Sequence, residues 1–203
     1  MFKSTLVSRY IKALVELYGL VHKEKVVEIF NMQNWRKIDV KYMDKILENE
    51  NAKIYFQTIE VDFYGDYFVS SPILFAESFE EALEVRRDKP FYIPEKKELL
   101  KYEDEDYFEV TKEYEELLSF LKEKLGDKDK AEYWAFQIQN SCKSLRMLYN
   151  MPVTIFQELE FEDEKVDYEF KKLIADLAYN TRIKDHNGNT PIEMITYGYE
   201  EVL

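Results

Sequence analysis

The sequence predicts a mainly helical protein that contains one small β-hairpin. The 203 residues include only five glycines and five prolines, which is too few for a turn-dense all-β architecture and favours long helices with short connections. A hydrophobic fraction of 46% and an aromatic fraction of 16% supply the apolar surface that a packed interior requires. Since domains usually contain about 100 to 150 residues, we predict two modules.

Three short helices are predicted at the start of the chain. Apolar residues recur at helical spacing over Leu6–Leu17 and stop at Gly19, a residue type that often ends helices. The apolar positions of Val26–Phe30 predict a second helix, and a third is expected to begin near Asp39.

A β-hairpin is predicted to follow these helices. The stretch Lys53–Glu60 alternates and is rich in β-forming residues, which predicts a strand. Asp62–Asp66 contains a turn at Gly65, and Tyr67–Val69 returns as the second strand. Three helices followed by one hairpin is the order of a winged-helix-like module, which we assign to residues 1–75.

The charge distribution supports a boundary after residue 75. Residues 1–75 contain ten Lys or Arg and ten Asp or Glu, so this part of the chain is neutral. Residues 76–203 contain 18 basic and 31 acidic residues and carry the whole net charge of -13. We therefore assign residues 76–203 to an acidic helical module, and we expect only the first module to tolerate a polyanionic partner.

The acidic module is predicted to be a helical bundle. Ser78 and Glu81 form a Ser-x-x-Glu capping box for a helix that runs through Arg86. Lys89–Pro94 is a non-helical connector, because each proline favours an extended conformation in the residue before it. Thr190 and the proline after it begin the last helix. The remaining helices are predicted at residues 95–101, 112–125, 128–149, 153–160 and 166–179.

Two groups of residues carry a family resemblance. The first is Tyr179–Arg182 followed by Asn187–Glu193, and the second is Lys89–Pro94 with Glu98–Tyr102 and Asp104–Tyr107. These stretches resemble uncharacterised helical proteins of low-GC Gram-positive bacteria and their mobile elements. In that family a helical region often precedes a short zinc-binding motif like the one at the C-terminus of the SecA translocation ATPase. The present sequence lacks this cysteine-rich motif, so the resemblance implies a helical fold and neither a zinc site nor an activity.

No residue set in the sequence specifies an enzyme. The five glycines are isolated, which excludes a glycine-rich phosphate-binding loop, and two histidines with one cysteine are too few for a zinc cluster. Cys142 lies within a predicted helix, where a buried thiol is the ordinary explanation. Asp185 and Gly188, on either side of His186, are turn residues. We predict no catalytic residue, no metal and no cofactor, although a site built from ordinary acidic, Tyr and Arg residues would leave no motif.

The protein is expected to be cytoplasmic and to make no contact with a membrane. No apolar run approaches the roughly 18 to 20 residues that span a bilayer, and Met1–Gly19 has an amphipathic pattern rather than that of a signal peptide. The single cysteine cannot form an intramolecular disulfide, which fits a reducing compartment.

A basic stripe in the first module is a candidate for contact with nucleic acid. Lys37, Lys41 and Lys45 are spaced four residues apart across the predicted third helix, where a winged helix carries its recognition helix. Against this, the same element contains Asp39, Asp44, Glu48 and Glu50, and the predicted wing segment Glu60–Asp66 is acidic. These acids oppose binding, because phosphate contacts require unopposed cations. The alternative is an ordinary solvated face.

Two acidic clusters are candidates for a face that binds a protein partner. Carboxylates spaced along helices can imitate the charge pattern of a nucleic-acid backbone and occupy a basic groove on another protein. The alternative is a solubilising surface above aromatic core residues. The candidate face consists of Glu103, Asp104, Glu105, Asp106, Glu109, Glu113, Glu116, Glu160, Glu162, Asp163 and Glu164.

Three functional hypotheses follow. We expect a non-enzymatic interaction or regulatory protein whose two modules together bind a macromolecular partner, in the first instance a protein. An alternative is an inhibitor from a phage or mobile element that presents its acidic face to a basic nucleic-acid-binding enzyme of the host. A second alternative is a transcription regulator that contacts DNA through the N-terminal module.

Overall fold

A computed structural model describes residues 5–76, 79–151, 153–200 and 202–203. The chain is mainly helical with a small antiparallel sheet, which confirms the predicted fold class. It divides into two compact units, unit 1 over Met1–Tyr107 and unit 2 over Phe108–Leu203.

Unit 1 combines helices with a three-stranded antiparallel sheet. The strand order is β1-β3-β2, and His22 and Tyr64 both lie opposite Tyr67 in the register. The elements of unit 1 are α1 (Leu6–Tyr18), β1 (Leu20–His22), α2 (Lys23–Gln33), α3 (Val40–Leu47), α4 (Glu50–Gln57), β2 (Val61–Tyr64), β3 (Tyr67–Ser70), α5 (Ser71–Ala76), α6 (Phe79–Arg86), α7 (Lys96–Leu99) and a 3₁₀ turn (Leu100–Glu103).

Helix α1 is the centre of unit 1, because nearly every side chain from Val7 to Tyr18 is buried. Thr5 caps its first turn through a reciprocal capping box with Ser8. The helix ends at Gly19, whose φ of 79° is a conformation that glycine adopts without steric cost. The predicted first helix and its end at Gly19 are confirmed.

The predicted hairpin is confirmed in its turn but wrong in its first strand. β2 and β3 are joined through Gly65, whereas Lys53–Glu60 is mostly helical and belongs to α4. The side chain of Asn49 caps α4, and its apolar residues Ala52 and Phe56 are buried four positions apart. The alternating pattern of this stretch is therefore compatible with one buried helix face. Strand β1 and helix α5 were not predicted.

The second half of unit 1 packs onto α1, so the predicted boundary after residue 75 lies inside this unit. Arg86 is buried, and its Nε donates to the carbonyl oxygen of Tyr18 at 2.9 Å. The Tyr18 hydroxyl donates to the carbonyl oxygen of Tyr92 at 2.6 Å. Leu99 and Tyr102 join the same core. Charge composition changes near residue 75, whereas the hydrophobic core continues to residue 107. The predicted cap Ser78 lies outside the described residues.

Unit 2 is a bundle in which the helices share one apolar core. Phe120 from α8 stacks on Phe170 from α12 with ring centroids 6.0 Å apart, and Ala135 from α9 joins them. The elements of unit 2 are α8 (Lys112–Leu125), α9 (Lys128–Ser141), α10 (Leu145–Tyr149), α11 (Val153–Glu158), α12 (Glu164–Asn180), a 3₁₀ turn (Lys184–His186) and α13 (Pro191–Thr196).

The stretch predicted as one helix over residues 128–149 is two helices, α9 and α10. The loop that follows α12 stabilises the break between α9 and α10, because the Lys184 N–H donates to the Lys143 carbonyl oxygen at 2.9 Å. The carboxylate of Asp185 accepts from the Leu145 amide at 2.9 Å. These long-range contacts occupy backbone groups at the break, and no local sequence signal reveals them.

Replacement of Gly19 by Ala should destabilise the protein more than replacement of Gly65 by Ala. Both glycines have positive φ, so each Ala carries a strain of about 1 to 2 kcal/mol. At Gly19 the new Cβ would also lie 2.7 Å from Ile73 Cδ1 and 2.8 Å from Arg86 Nη2, whereas Gly65 has open space. Displacement of the buried Arg86 would add about 1 to 3 kcal/mol. Urea unfolding measures both variants, and equal losses would contradict this packing.

Candidate interaction surface

Trp35 and Phe75 are the two most exposed of the large hydrophobic residues described in unit 1, and Trp35 is the one that lies beside exposed cations. It lies in the loop between α2 and α3 with 85% of its surface exposed, although large aromatic side chains are usually well buried. The guanidinium carbon of Arg36 lies 5.3 Å from its ring centroid, within the range of a cation–π contact. We define the Trp35 surface as the exposed side chains of Met32, Trp35, Arg36, Lys41, Tyr42 and Lys45.

Side-chain hydrogen bonds to the backbone fix the loop that carries Trp35. The side-chain amide of Asn31 forms two hydrogen bonds with the backbone of Ile38. Its Oδ1 accepts from the Ile38 N–H at 2.9 Å, and its Nδ2 donates to the Ile38 carbonyl oxygen at 2.8 Å. Lys37 Nζ donates to the carbonyl oxygens of Asn31 at 2.5 Å and Asn34 at 2.9 Å. The two ends of the loop are thereby joined on either side of Trp35.

Asn34 connects the loop to the core of unit 1. Its Nδ2 donates to the Phe30 carbonyl oxygen at 2.9 Å and to the Tyr10 hydroxyl at 3.0 Å. Its Oδ1 accepts from Lys96 Nζ at 2.6 Å. Because Tyr10 is fully buried in α1, Trp35 is presented from an anchored loop. Such preorganisation lowers the entropy cost of binding.

Two of the acids near these cations make local contacts. Asp44 accepts from Lys23 Nζ at 2.6 Å, and Lys23 Nζ also donates to Asp66 in the hairpin turn at 2.8 Å. Asp39 caps α3 by accepting from the Tyr42 amide at 2.9 Å. In the part of the chain that the structure describes, Lys41 and Lys45 form no ion pair. Their ammonium groups therefore face solvent, and the exposed carboxylates of Asp39 and Glu48 flank them in the sequence.

The predicted basic stripe is changed in two respects. Lys37 lies before α3 and holds the loop, so only Lys41 and Lys45 form a stripe along this helix. Moreover, α4 rather than α3 directly precedes the hairpin and occupies the place of a recognition helix. Lys53 on α4 is paired with Glu50 at 2.8 Å. The position expected to read DNA therefore offers no unpaired cation among its described side chains.

The acidic residues predicted in unit 1 lie at the end of its last 3₁₀ turn. Glu103 forms a bidentate pair with Arg9, with Nη2–Oε1 and Nε–Oε2 distances of 2.6 and 2.9 Å. Asp104 accepts from the Asp106 amide at 3.1 Å. Asp104, Glu105 and Asp106 are exposed. Arg9 thus neutralises one of these four carboxylates, and a local turn holds one other, that of Asp104.

In unit 2, salt bridges occupy part of the acidic cluster near α8. Glu109 pairs with Arg182 at 2.8 Å, and Glu116 pairs with Lys112 at 2.9 Å. Glu113, in the first turn of α8, lies on the same face of this helix as Glu116. Carboxylates paired in this way present less negative charge to a partner than the sequence count suggests.

The second acidic cluster is more exposed and lies near the opposite end of α8. Glu160, Glu162, Asp163 and Glu164 are all exposed, and Asp163 caps α12. Phe161 within this cluster lies 5.6 Å from Phe120, in the second half of α8, whereas Glu109 precedes the helix. The acidic residues of unit 2 therefore form two separated groups.

His186 and Cys142, the residues considered for chemistry in the sequence, are both fully buried. His186 is fully buried in a turn in which Asn187 and Gly188 have φ values of 49° and 79°. Arg182 braces this turn by donating to the Gly188 carbonyl oxygen at 3.2 Å. Burial raises the pKa of the Cys142 thiol to about 12, so its thiolate is scarce at neutral pH. The predicted turn and the predicted buried thiol are confirmed.

The described ranges contain neither a metal-binding cluster nor a membrane-spanning helix. No group of three or more His, Cys, Asp or Glu side chains there could hold a metal ion. No helix among those residues is both long and apolar enough to cross a bilayer.

Sequence reasoning missed the Trp35 surface. The cations were recognised, but a tryptophan between two helices is ordinarily read as core. A usable signal was present, since Asn34, Arg36 and Lys37 surround Trp35 with polar residues and leave no apolar neighbour in the loop before Ile38.

Comparisons with known proteins give no further guide to this surface. No family model, no curated protein and no solved structure matches the chain.

The Lys23 ion pairs predict a dependence of stability on pH. The hydrogen bond from Lys23 lowers the pKa of Asp66 below its ordinary 3.8. A lowered folded-state pKa gives stability that is present above the unfolded-state value and lost as pH falls through the folded-state value. Wild type should therefore exceed Asp66→Asn in stability at pH 7, and the difference should shrink by pH 3. Thermal unfolding at both pH values measures this, with Asp106→Asn as the exposed control. A constant difference would contradict the ion pair.

Proposed function

We propose that the protein is a non-enzymatic, cytoplasmic interaction protein whose unit 1 is a winged-helix-like domain. The order of unit 1 supports this reading, since α1, β1 and three further helices precede the β2-β3 hairpin. The sheet order β1-β3-β2 places the hairpin beside the strand that follows the first helix. Helix α3 is additional to the three helices that the winged-helix order requires.

The Trp35 surface is the observation that carries the proposal. An exposed tryptophan costs solubility, and a loop anchored by at least six side-chain hydrogen bonds costs conformational freedom. Trp and Arg are the residue types that most often dominate binding energy at protein surfaces. Folding alone explains neither the exposed tryptophan nor the rigid loop, whereas binding of a macromolecular partner explains both.

Charge selects the kind of partner. Arg36, Lys41 and Lys45 are exposed, while Asp44 is paired with Lys23. A negatively charged macromolecule is therefore complementary to this surface, although the chain as a whole carries -13. Unit 2 contributes most of the excess acid, which in this proposal keeps the protein soluble and limits nonspecific contact with other polyanions.

Loss of Trp35 should abolish partner capture. The tagged full chain is incubated with a lysate of its native host, treated with nuclease in one arm, and compared with Trp35→Ala and Tyr168→Ala. Tyr168 is a matched control because it is an aromatic residue of unit 2 with 72% exposure. Truncation of a tryptophan hot spot costs at least about 2 kcal/mol, which corresponds to roughly 30-fold in affinity.

The Tyr168→Ala variant should retain the partners of the wild type. If Trp35→Ala retained the same partners at the same yield, the Trp35 surface would have no binding role. Metal- or nucleotide-dependent turnover by the pure protein, lost on replacement of one residue, would contradict the non-enzymatic proposal itself.

The second candidate function is an inhibitor that presents acidic residues to a basic nucleic-acid-binding enzyme. The exposure of Glu160, Glu162, Asp163 and Glu164 favours it. The separation of the acidic groups and the salt bridges at Glu109 and Glu116 disfavour a continuous acidic face.

Charge reversal tests this candidate. Glu160→Lys with Glu162→Lys should release a basic nucleic-acid-handling protein that the wild type captures after nuclease treatment and loses at high salt. Glu48→Lys with Glu84→Lys is the control, since both residues are exposed acids of unit 1. Equal loss in both double variants would reflect net charge alone and would exclude a specific acidic face.

A further inference from the structure

We propose that the Trp35 surface binds single-stranded nucleic acid, with Trp35 stacked on a base and with Arg36, Lys41 and Lys45 against the phosphates. This inference rests on the proposed function and names the class of its partner. It uses contacts that belong entirely to unit 1.

Trp35 has the properties of a base-stacking platform. Its indole is 85% exposed, and the anchored loop holds it at the surface. Base–aromatic stacking is tolerant of sequence because every base has a π face, and arginine next to the ring adds a cation–π contribution. Arg36 already lies 5.3 Å from the Trp35 ring centroid. A flat base is the ligand that uses the indole face and the neighbouring cation together.

Lys41 and Lys45 provide a short track for the strand backbone. They are separated by one helical turn on α3, so their Cβ atoms lie about 5 to 6 Å apart. Their flexible four-carbon stems can place two ammonium groups on successive phosphates. Asp44, the carboxylate on α3 between Lys41 and Lys45, is paired with Lys23 at 2.6 Å and therefore competes less for these lysines.

The rest of unit 1 favours a single strand over a duplex. A winged helix docks on duplex DNA with its recognition helix in the major groove. Here α4 occupies that place, and its Lys53 is paired with Glu50. Asp62, in strand β2 of the hairpin, would repel duplex phosphates. Stacking on Trp35 also requires an unstacked base, which a single strand supplies without the cost of base flipping.

An acidic peptide is the competing occupant, and the observations favour nucleic acid over it. A tryptophan that anchors a protein interface usually sits in a desolvated pocket ringed by further contacts. The loop neighbours of Trp35 are instead the cations Arg36 and Lys37, and its indole faces solvent. This arrangement suits repeated stacking and phosphate contact rather than insertion into a partner.

Intrinsic fluorescence measures the stacking directly. The chain contains two tryptophans, so the full-length Trp134→Phe variant reports on Trp35 alone, and the wild type repeats the titration if that variant folds poorly. Oligo(dT) and oligo(U) of ten nucleotides should quench Trp35 fluorescence. With three phosphate contacts, the logarithm of affinity should fall against the logarithm of salt concentration with a slope of about -2.

Charge reversal separates specific phosphate contacts from general electrostatics. Lys41→Glu with Lys45→Glu should weaken binding at least tenfold and reduce the salt slope to about -0.7, since only one contact remains. Lys165→Glu with Lys172→Glu is the control, because both are exposed lysines of unit 2 and the change in net charge is the same. The control should bind as the unchanged protein does.

Three outcomes would overturn the inference. They are the absence of quenching at low salt, equal affinity for a duplex of the same length, and equal quenching by polyglutamate of matched charge. Any of these combined with partner capture that still depends on Trp35 would leave the proposed function in place and assign the surface to another partner. Loss of both quenching and Trp35-dependent capture would remove the two proposals together.

Discussion

The burial of nearly all of α1 is the constraint on which unit 1 depends. A helix buried around most of its circumference needs apolar partners in several directions, and unit 1 supplies them from α2, the sheet and residues 91–102. Its carbonyl groups also need donors at the C-terminal end, where the Gly19 amide bonds to Val15 and Arg86 reaches Tyr18. Lys12 and Glu16 form an ion pair of 2.6 Å within the helix itself, and the exposed Arg9 pairs with Glu103.

The same burial determines the candidate surface. Tyr10 lies inside α1, and its hydroxyl donates to Gln33 while accepting from Asn34, which precedes Trp35. Burial raises the pKa of Tyr10, so its hydroxyl remains a neutral donor at physiological pH. The end of α2 and the loop after it are therefore tied to the most protected part of the unit. A surface fixed in this way keeps its shape before a partner arrives.

Local signals in the sequence predicted local structure well. The bounds of α8 follow from Thr111 at its start and Gly126 at its end, and the Thr190 capping box forms as its residues suggest. Errors arose where distant contacts decide the outcome. Tertiary packing buries Phe56, so the alternating stretch around it is a helix rather than a strand. The Asp185 carboxylate accepts from the Leu145 N–H at the break between α9 and α10, although the two residues are forty positions apart. The lysines of the candidate surface could be recognised in the sequence. The ion pair between Asp44 and Lys23, which lie 21 residues apart, could not.

The buried thiol has a practical consequence for the study of this molecule. Cys142 is the single cysteine of the chain, and its burial with a pKa raised to about 12 makes it slow to react with alkylating reagents. A cysteine introduced at an exposed position would therefore be modified selectively without removal of the native one. Spin labels or fluorophores can be attached one at a time to either unit, and the distance between the units becomes measurable in solution.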